Sequence, residues 1–301
     1  MASQKDVKNR ISSVKNIQKI TRAMEMVAAA RLRRAEERIE NLRPYAGAIR
    51  RMTRRVVEAV ENIPSMPILE EHDQENRVGL LLVTGDRGLA GAFNSQILRA
   101  GLRAGSEHTS EGRDLAWYAS GRRGVSSLTF RGQEVAGSYI GFTERPAYGD
   151  ARHIAEELMA AYVDGKVDEV EIFYNGYISP LTQEVRRETL LPLQQATILE
   201  SEDEDDEEDE ERPEHRALVE YEPDPEEILQ RLVPDYVEIS VYRALLESAA
   251  SELGARMTAM RNASQNAGEL IDDLTLEMNR ARQAEITQEI LEVVAGAEAL
   301  V

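Results

Sequence analysis

Apolar residues near the amino end fall at Val7, Ile11, Val14, Ile17, Ile20, Met24 and Val27, in steps of three or four. The same steps return near the carboxyl end, at Leu246, Leu253, Met257, Met260, Ile271, Leu274, Met278, Ile286, Ile290 and Val293. This spacing draws a narrow stripe along a helix, the pattern of a coiled-coil seam rather than of a broad globular face. Only Pro44 and Gly47 interrupt the amino-terminal stretch up to about residue 60. At 1.5 Å per residue the two helices are expected to reach roughly 80 Å and roughly 100 Å. Neither stripe buries itself alone, so the two ends of the chain are predicted to wrap around each other. A rod of that length suits a mechanical part better than an active site.

Between the ends the pattern changes. The segment Arg77-Val-Gly-Leu-Leu-Leu-Val-Thr84 reads as a buried strand, followed by a glycine turn and a helix over 92–104. Strands follow over 114–120, 167–177 and 184–193, with a short helix after Gly121 and a longer one over 150–163. Strands alternating with helices predict a mostly parallel α/β layer. From Glu200 to Glu211 every residue but Ser201 is acidic, a stretch that buries nothing and reads as a solvated insertion. The expected organisation is a coiled-coil helix over 1–62, an α/β domain over 77–198, an acidic linker over 199–225 and a second coiled-coil helix over 226–301.

The acidic run changes how the net charge of −19 is read, because the first sixty residues are basic, with fifteen Lys or Arg against six Asp or Glu. Nucleic acid is one partner for such a helix. Its basic residues are interleaved with Ala and Met rather than with aromatics that stack on bases, which favours acidic protein surfaces. The 301 residues hold 42% apolar side chains, enough for a core, and no cysteine, which excludes disulfides and thiol chemistry. The longest apolar run, ending at Val83, is far too short to span a membrane. The opening MASQKDVKNRISSVK lacks the apolar core of a secretory signal, so a soluble intracellular chain is expected.

Candidate chemistry is thin. Gly85, Gly88 and Gly91 follow a strand and precede a helix, where phosphates bind, but their spacing is neither the dinucleotide fingerprint nor a phosphate-binding loop ending in Gly-Lys-Ser/Thr. Asp86 would also repel a phosphate, so the glycines are expected to serve a tight turn with positive φ. His72, His108, His153 and His215 lack metal-ligand spacing, and the Gly121–Ser127 stretch GRRGVSS is no nucleophile elbow. Adjacent carboxylates such as Glu156 and Glu157 read as a solvated helix face. Met24, Met26, Met257, Met260 and Met278 read as flexible filling of the helix seam. No catalytic, cofactor-binding or metal-binding residue is expected.

Several motifs carry a resemblance. Ile20-Thr-Arg-Ala-Met-Glu-Met-Val-Ala-Ala-Ala-Arg31 resembles the opening helix of the gamma subunit of rotary F-type ATP synthase. The run from Ala281 to Ala297 resembles that family's terminal signature, with Ile286, Thr287 and Glu289 as its core, then Glu292, Gly296 and Ala297. Between them, Asp86-Arg-Gly-Leu-Ala-Gly91 with Asn94, Tyr174-Asn-Gly-Tyr177 and Leu190-Leu-Pro192 are similar to the family in the same order. The acidic run is a departure from the family's usual pattern. So is the absence of the cysteine pair of photosynthetic members, which rules out their thiol regulation.

The resemblance implies a central rotor shaft: a coiled coil inserted among three alpha and three beta subunits, and a Rossmann-like α/β domain on the epsilon subunit and the membrane c-ring. Proton-driven rotation would turn the shaft against each beta subunit in turn, driving ATP synthesis at sites that belong to beta. The chain itself would be non-catalytic, with no cofactor, no nucleic acid and no membrane span of its own. It would be peripheral to the cytoplasmic face of a bacterial membrane. Partner contacts are expected at Arg282, Gln283, Thr287 and Glu289, with Met24 opposite the first two. The rival class is a static helical scaffold or a nucleic-acid-binding adaptor.

Overall fold

A computed structural model describes residues 4–59, 66–72, 76–193 and 224–298. The acidic run of 200–211 lies outside the described residues. In order, the elements are α1 (Gln4–Ala59), β1 (Arg77–Val83), α2 (Phe93–Ser110), β2 (Asp114–Ser120), α3 (Arg122–Phe130), β3 (Val135–Tyr139), α4 (Tyr148–Val163), β4 (Glu169–Tyr177), β5 (Gln183–Leu191) and α5 (Pro225–Glu298). Two compact units emerge, one of Met1–Ala30 with Arg256–Val301, the other of Arg31–Ala255. Pro44 and Pro234 lie inside α1 and α5. Each removes one backbone donor without ending its helix.

The second unit is built on one sheet of order β3-β2-β1-β4-β5, parallel except for β5, which runs antiparallel to β4. Period-two alternation splits the apolar run of β1 between both faces. Val78, Leu80 and Leu82 join Trp117, Ala119 and Phe173 beneath Phe93 and Ile97 of α2 and Leu128 of α3. Leu81 and Val83 join Tyr118, Ile172 and Tyr174 on the other face, under α4, Ile49 and Val56 of α1, and residues 229–245 of α5. A strand buried on both faces tolerates so continuous an apolar sequence.

Two features depart from the sequence reading. The strand β3 was not expected: its sequence, VAGSY, holds no apolar run. It pairs with β2, and at Gly137 the Tyr118 ring and the Tyr139 hydroxyl close over the backbone, where an added Cβ would lie 2.7 and 2.6 Å from them. The helix α2 continues six residues past Ala104. Gly105 admits the Trp117 ring, and the buried His108 approaches Glu171 at 3.3 Å, itself bonded by Arg187 at 2.7 Å. Polar residues are thus retained in a helix by neighbours far away in sequence.

At the amino edge of the sheet, Asp168 accepts the backbone N–H groups of Asn76 at 3.0 Å and Arg77 at 2.9 Å, and its other oxygen lies 2.8 Å from His72 Nδ1. Burial alone would raise this carboxyl, but the His72 contact and the two backbone donors together hold it below its ordinary value of 3.8. A carboxylate lowered by folding adds stability above its unfolded value, and that stability is lost as the pH falls through the folded one. Asp168→Asn is therefore expected to lower the melting temperature at neutral pH and to flatten its fall in acid. A melting profile with an unchanged acid limb would assign that limb to other carboxylates.

Candidate partner-contact surface

Doubly wound sheets bind ligands beyond the carboxyl ends of their strands, where the strand order reverses. Here that place is the end of β1, flanked by β2 and β4, and the chain's own groups fill it. Asp86 accepts the N–H of Arg122 at 3.0 Å, that of Gly141 at 2.9 Å, and both the N–H and the hydroxyl of Thr143 at 3.3 and 3.0 Å. Donors that could face a phosphate are already spent on an internal carboxylate. The Glu252 carboxylate of α5 sits against Gly85, where an added Cβ would be only 2.7 Å away. On the same helix, Ser248 donates to the Val83 carbonyl at 3.4 Å and Ser251 to the Asn175 carbonyl at 3.0 Å.

The glycine turn is tight as expected, but for other reasons at two of its three glycines. Positive φ occurs at Gly91 (55°) and at Leu89 (65°), not at Gly85 or Gly88. Gly85 is needed for the approach of Glu252. Gly88 faces the Arg123 guanidinium, which an added Cβ would meet at 2.8 Å. Among the described residues no group of three or more His, Asp or Glu is placed to hold a metal ion, and no helix is long and apolar enough to cross a membrane.

In the first unit, α1 and α5 pack antiparallel. Val7 and Ile11 meet Leu274, flanked by Val14, Ile271 and Met278. Gln18 donates to the Ser264 carbonyl at 3.4 Å, and Arg261 pairs with Glu25 at 2.9 Å. The covered positions include 7, 11, 14, 18, 21, 25 and 28 on α1, and 257, 260, 264, 267, 271, 274 and 278 on α5. Both alternate in steps of four and three, which is the 3.5-residue repeat of a left-handed coiled coil. The seam therefore departs from the apolar stripe after Val14. Gln18, Thr21 and Ala28 turn inward, while Ile17, Ile20, Met26 and Val27 are each more than half exposed. Met26 is thus no seam filler.

The carboxyl end of α5 extends past the described residues of α1. With residue 18 facing 264 and residue 7 near 274, no described residue of α1 lies across from α5 beyond about Met278. Ile286, Ile290 and Val293, expected in the seam, are exposed instead, the last at 73%. Arg282, Gln283, Thr287 and Glu289 all lie on this uncovered stretch and are exposed. The Thr287 hydroxyl donates to the Gln283 carbonyl at 2.8 Å. Met24 is half-buried, and its neighbour Glu25 pairs with Arg261. The expectation that Met24 stands opposite Arg282 and Gln283 is overturned by the register, which places it some twenty residues away along α5. Contact between an exposed apolar strip and a partner is the ordinary reason for such a surface. The signal that sequence reasoning missed was a four-three alternation that skips Ile17 and Ile20.

Comparison with known proteins agrees across the whole chain. The sequence pattern of a family described as ATP synthase matches residues 3–300. The ATP synthase gamma chain of Rubrobacter xylanophilus is 43% identical over 300 residues, covering 100% of this chain and 99% of that one. A solved chain of the central stalk and c-ring of Tetrahymena thermophila mitochondrial ATP synthase superposes with a TM-score of 0.60 at 25% identity, over 81% of this chain and 99% of that chain. A chain of the Euglena gracilis mitochondrial ATP synthase shares the fold, with a TM-score of 0.66 at 17% identity, over 99% of this chain and 94% of that one.

Proposed function

The chain belongs to the ATP synthase gamma-chain family, the central rotor shaft of that complex, and we propose that it drives the catalytic beta subunits through its uncovered helix surface. It is a non-catalytic subunit, and nucleotide chemistry belongs to beta. The observation that carries the contact proposal is the stretch of α5 beyond Met278, apolar and exposed at Ile286, Ile290 and Val293. A helix that keeps apolar residues exposed where no described residue of α1 faces it is fitted to a surface supplied from outside. Alpha and beta subunits of the head surround this part of the chain in our reading, and epsilon and the c-ring engage the α/β domain. Rotation presents an asymmetric surface to each beta subunit in turn and shifts its preferred conformation by differential contact. The chain would then be peripheral to the cytoplasmic face of a bacterial membrane.

Arg282, Gln283, Thr287 and Glu289 are the polar contacts of this reading, with Met24 contributing separately on α1. A hydrogen bond to a charged partner group is worth about 1.5–3 kcal/mol. Replacing both Arg282 and Gln283 by alanine is expected to leave the coiled coil folded and to slow turnover of the assembled complex severalfold. Unchanged rates of both synthesis and hydrolysis would make them solvated flanks. Co-purification tests the larger reading: alpha, beta and epsilon subunits should accompany the chain. Bound RNA or DNA in their place would favour the nucleic-acid adaptor.

A further inference from the structure

The tetrapeptide Tyr174-Asn-Gly-Tyr177, at the end of β4, lies outside the uncovered stretch of α5, and its residues reach the helices and the strand beside it. The Tyr174 hydroxyl donates to Glu188 at 2.6 Å, and its ring lies 6.0 Å from the Arg243 guanidinium of α5, which also bonds Glu188 at 2.7 Å. The Asn175 carbonyl accepts from Ser251 of α5, and its amide donates to the Phe93 carbonyl of α2 at 3.3 Å. At Gly176 a Cβ would lie 2.5 Å from Arg186 Nε, so the glycine lets that arginine cross the strand and reach Glu247 of α5 at 3.3 Å. Tyr177 serves both helices. Its hydroxyl donates to Glu36 of α1, and its backbone N–H to Glu247 of α5 at 3.4 Å.

We propose that Tyr174–Tyr177 is the joint by which the sheet grips α1 and α5, with Tyr177 the positioning residue that the two helices share; the inference rests on the rotor reading above. Load passing between an α/β domain and a helix pair has to cross their contact. Apolar packing is non-directional and lets a helix turn against a sheet, whereas hydrogen bonds weaken steeply once bent, so they resist the turn. The directional ties to α1 and α5 named here gather at Tyr174–Tyr177 of β4 and at Arg186 and Glu188 of the adjoining β5. Burial first, then the Glu36 contact, keep the Tyr177 hydroxyl protonated far above its ordinary range, so it remains a donor.

Thermal angular fluctuation of the stalled complex reads the stiffness of this joint. The complex is fixed by its head subunits, and a rod is attached to the α/β domain at Ser106→Cys, an exposed position in a chain without other cysteines. Tyr177→Phe and Glu36→Ala each remove one charge-assisted hydrogen bond and are expected to widen the angular variance by about twofold. Glu36→Gln still accepts from the Tyr177 hydroxyl and should stay near the parent. Hydrolysis by the complex should be unchanged in all three. Parent-like variance in both Tyr177→Phe and Glu36→Ala overturns the joint. So does equal widening in Glu36→Gln, which would mark a general loosening. If Tyr177→Phe fails to assemble because the chain unfolds, Tyr177 is a folding residue and the proposal fails as well. Failure of the unsubstituted chain to join the head subunits would instead overturn the rotor reading.

Discussion

Oxidising a complex in which Ala284→Cys of this chain faces a cysteine on a beta subunit is expected to bring ATP hydrolysis to near background, and reduction to restore it. Ala284 lies on the exposed stretch of α5, and the chain has no native cysteine, so the engineered thiol is the only one it contributes. A disulfide forms when the two Cα atoms come within about 7 Å, which a rotating surface must reach at some angle. Once formed, it holds one beta subunit against one face of the shaft, and the other two can no longer take their turns. Oxidation without the beta cysteine should do nothing. A single helix can uncoil and swivel around a bond near its end, so a second tie at Met26→Cys on α1, exposed at 61%, belongs in the same experiment. Full turnover with both ties closed would make this chain a stationary support.

The second large effect is expected at Gly121, where Ala should unfold or severely destabilise the α/β domain. Its φ of 91° and ψ of 138° fall where only glycine is comfortable, and an added Cβ would lie 2.1 Å from the Thr84 carbonyl oxygen. Backbone strain of this kind costs about 1–3 kcal/mol by itself. The collision adds to it, because the opposing atom is main chain and is held by the sheet: the Thr84 N–H and hydroxyl both donate to Ser120. Gly112 is the control. It has a φ of 86° but open space around it, so Gly112→Ala should cost only about 1 kcal/mol. Thermal unfolding of the two variants separates conformation from contact. Equal losses would mean that the Thr84 approach carries no weight.

Where an element's reason lay within its own residues, it could be read in advance. The strands β1 and β2 fall at 77–83 and 114–120, the first one residue shorter than expected and the second as expected, because an apolar run between turn residues has few other uses. β3 and the last six residues of α2 escaped, since Gly137, Gly105 and His108 are explained only by Tyr118, Trp117 and Glu171. The loop after β1 shows the same division. That its glycines serve a tight turn was expected from their spacing, but that Asp86 and Glu252 fill the place beyond β1 required the folded positions of β3 and α5.

The contact residues divide likewise. Periodicity alone determined that both ends of the chain are long helices with a shared seam, since steps of three and four have no other compact use. It did not determine which apolar residues enter that seam. Ile17, Ile20 and Val27 lie within one helical step of the true stripe, and only the antiparallel register, pinned by Gln18 against Ser264, turns them outward. The reach of α5 beyond α1 was equally hidden. Two helices of unequal length reveal which end stays uncovered only when paired, because the free energy that aligns them is summed over the whole seam and belongs to no single residue.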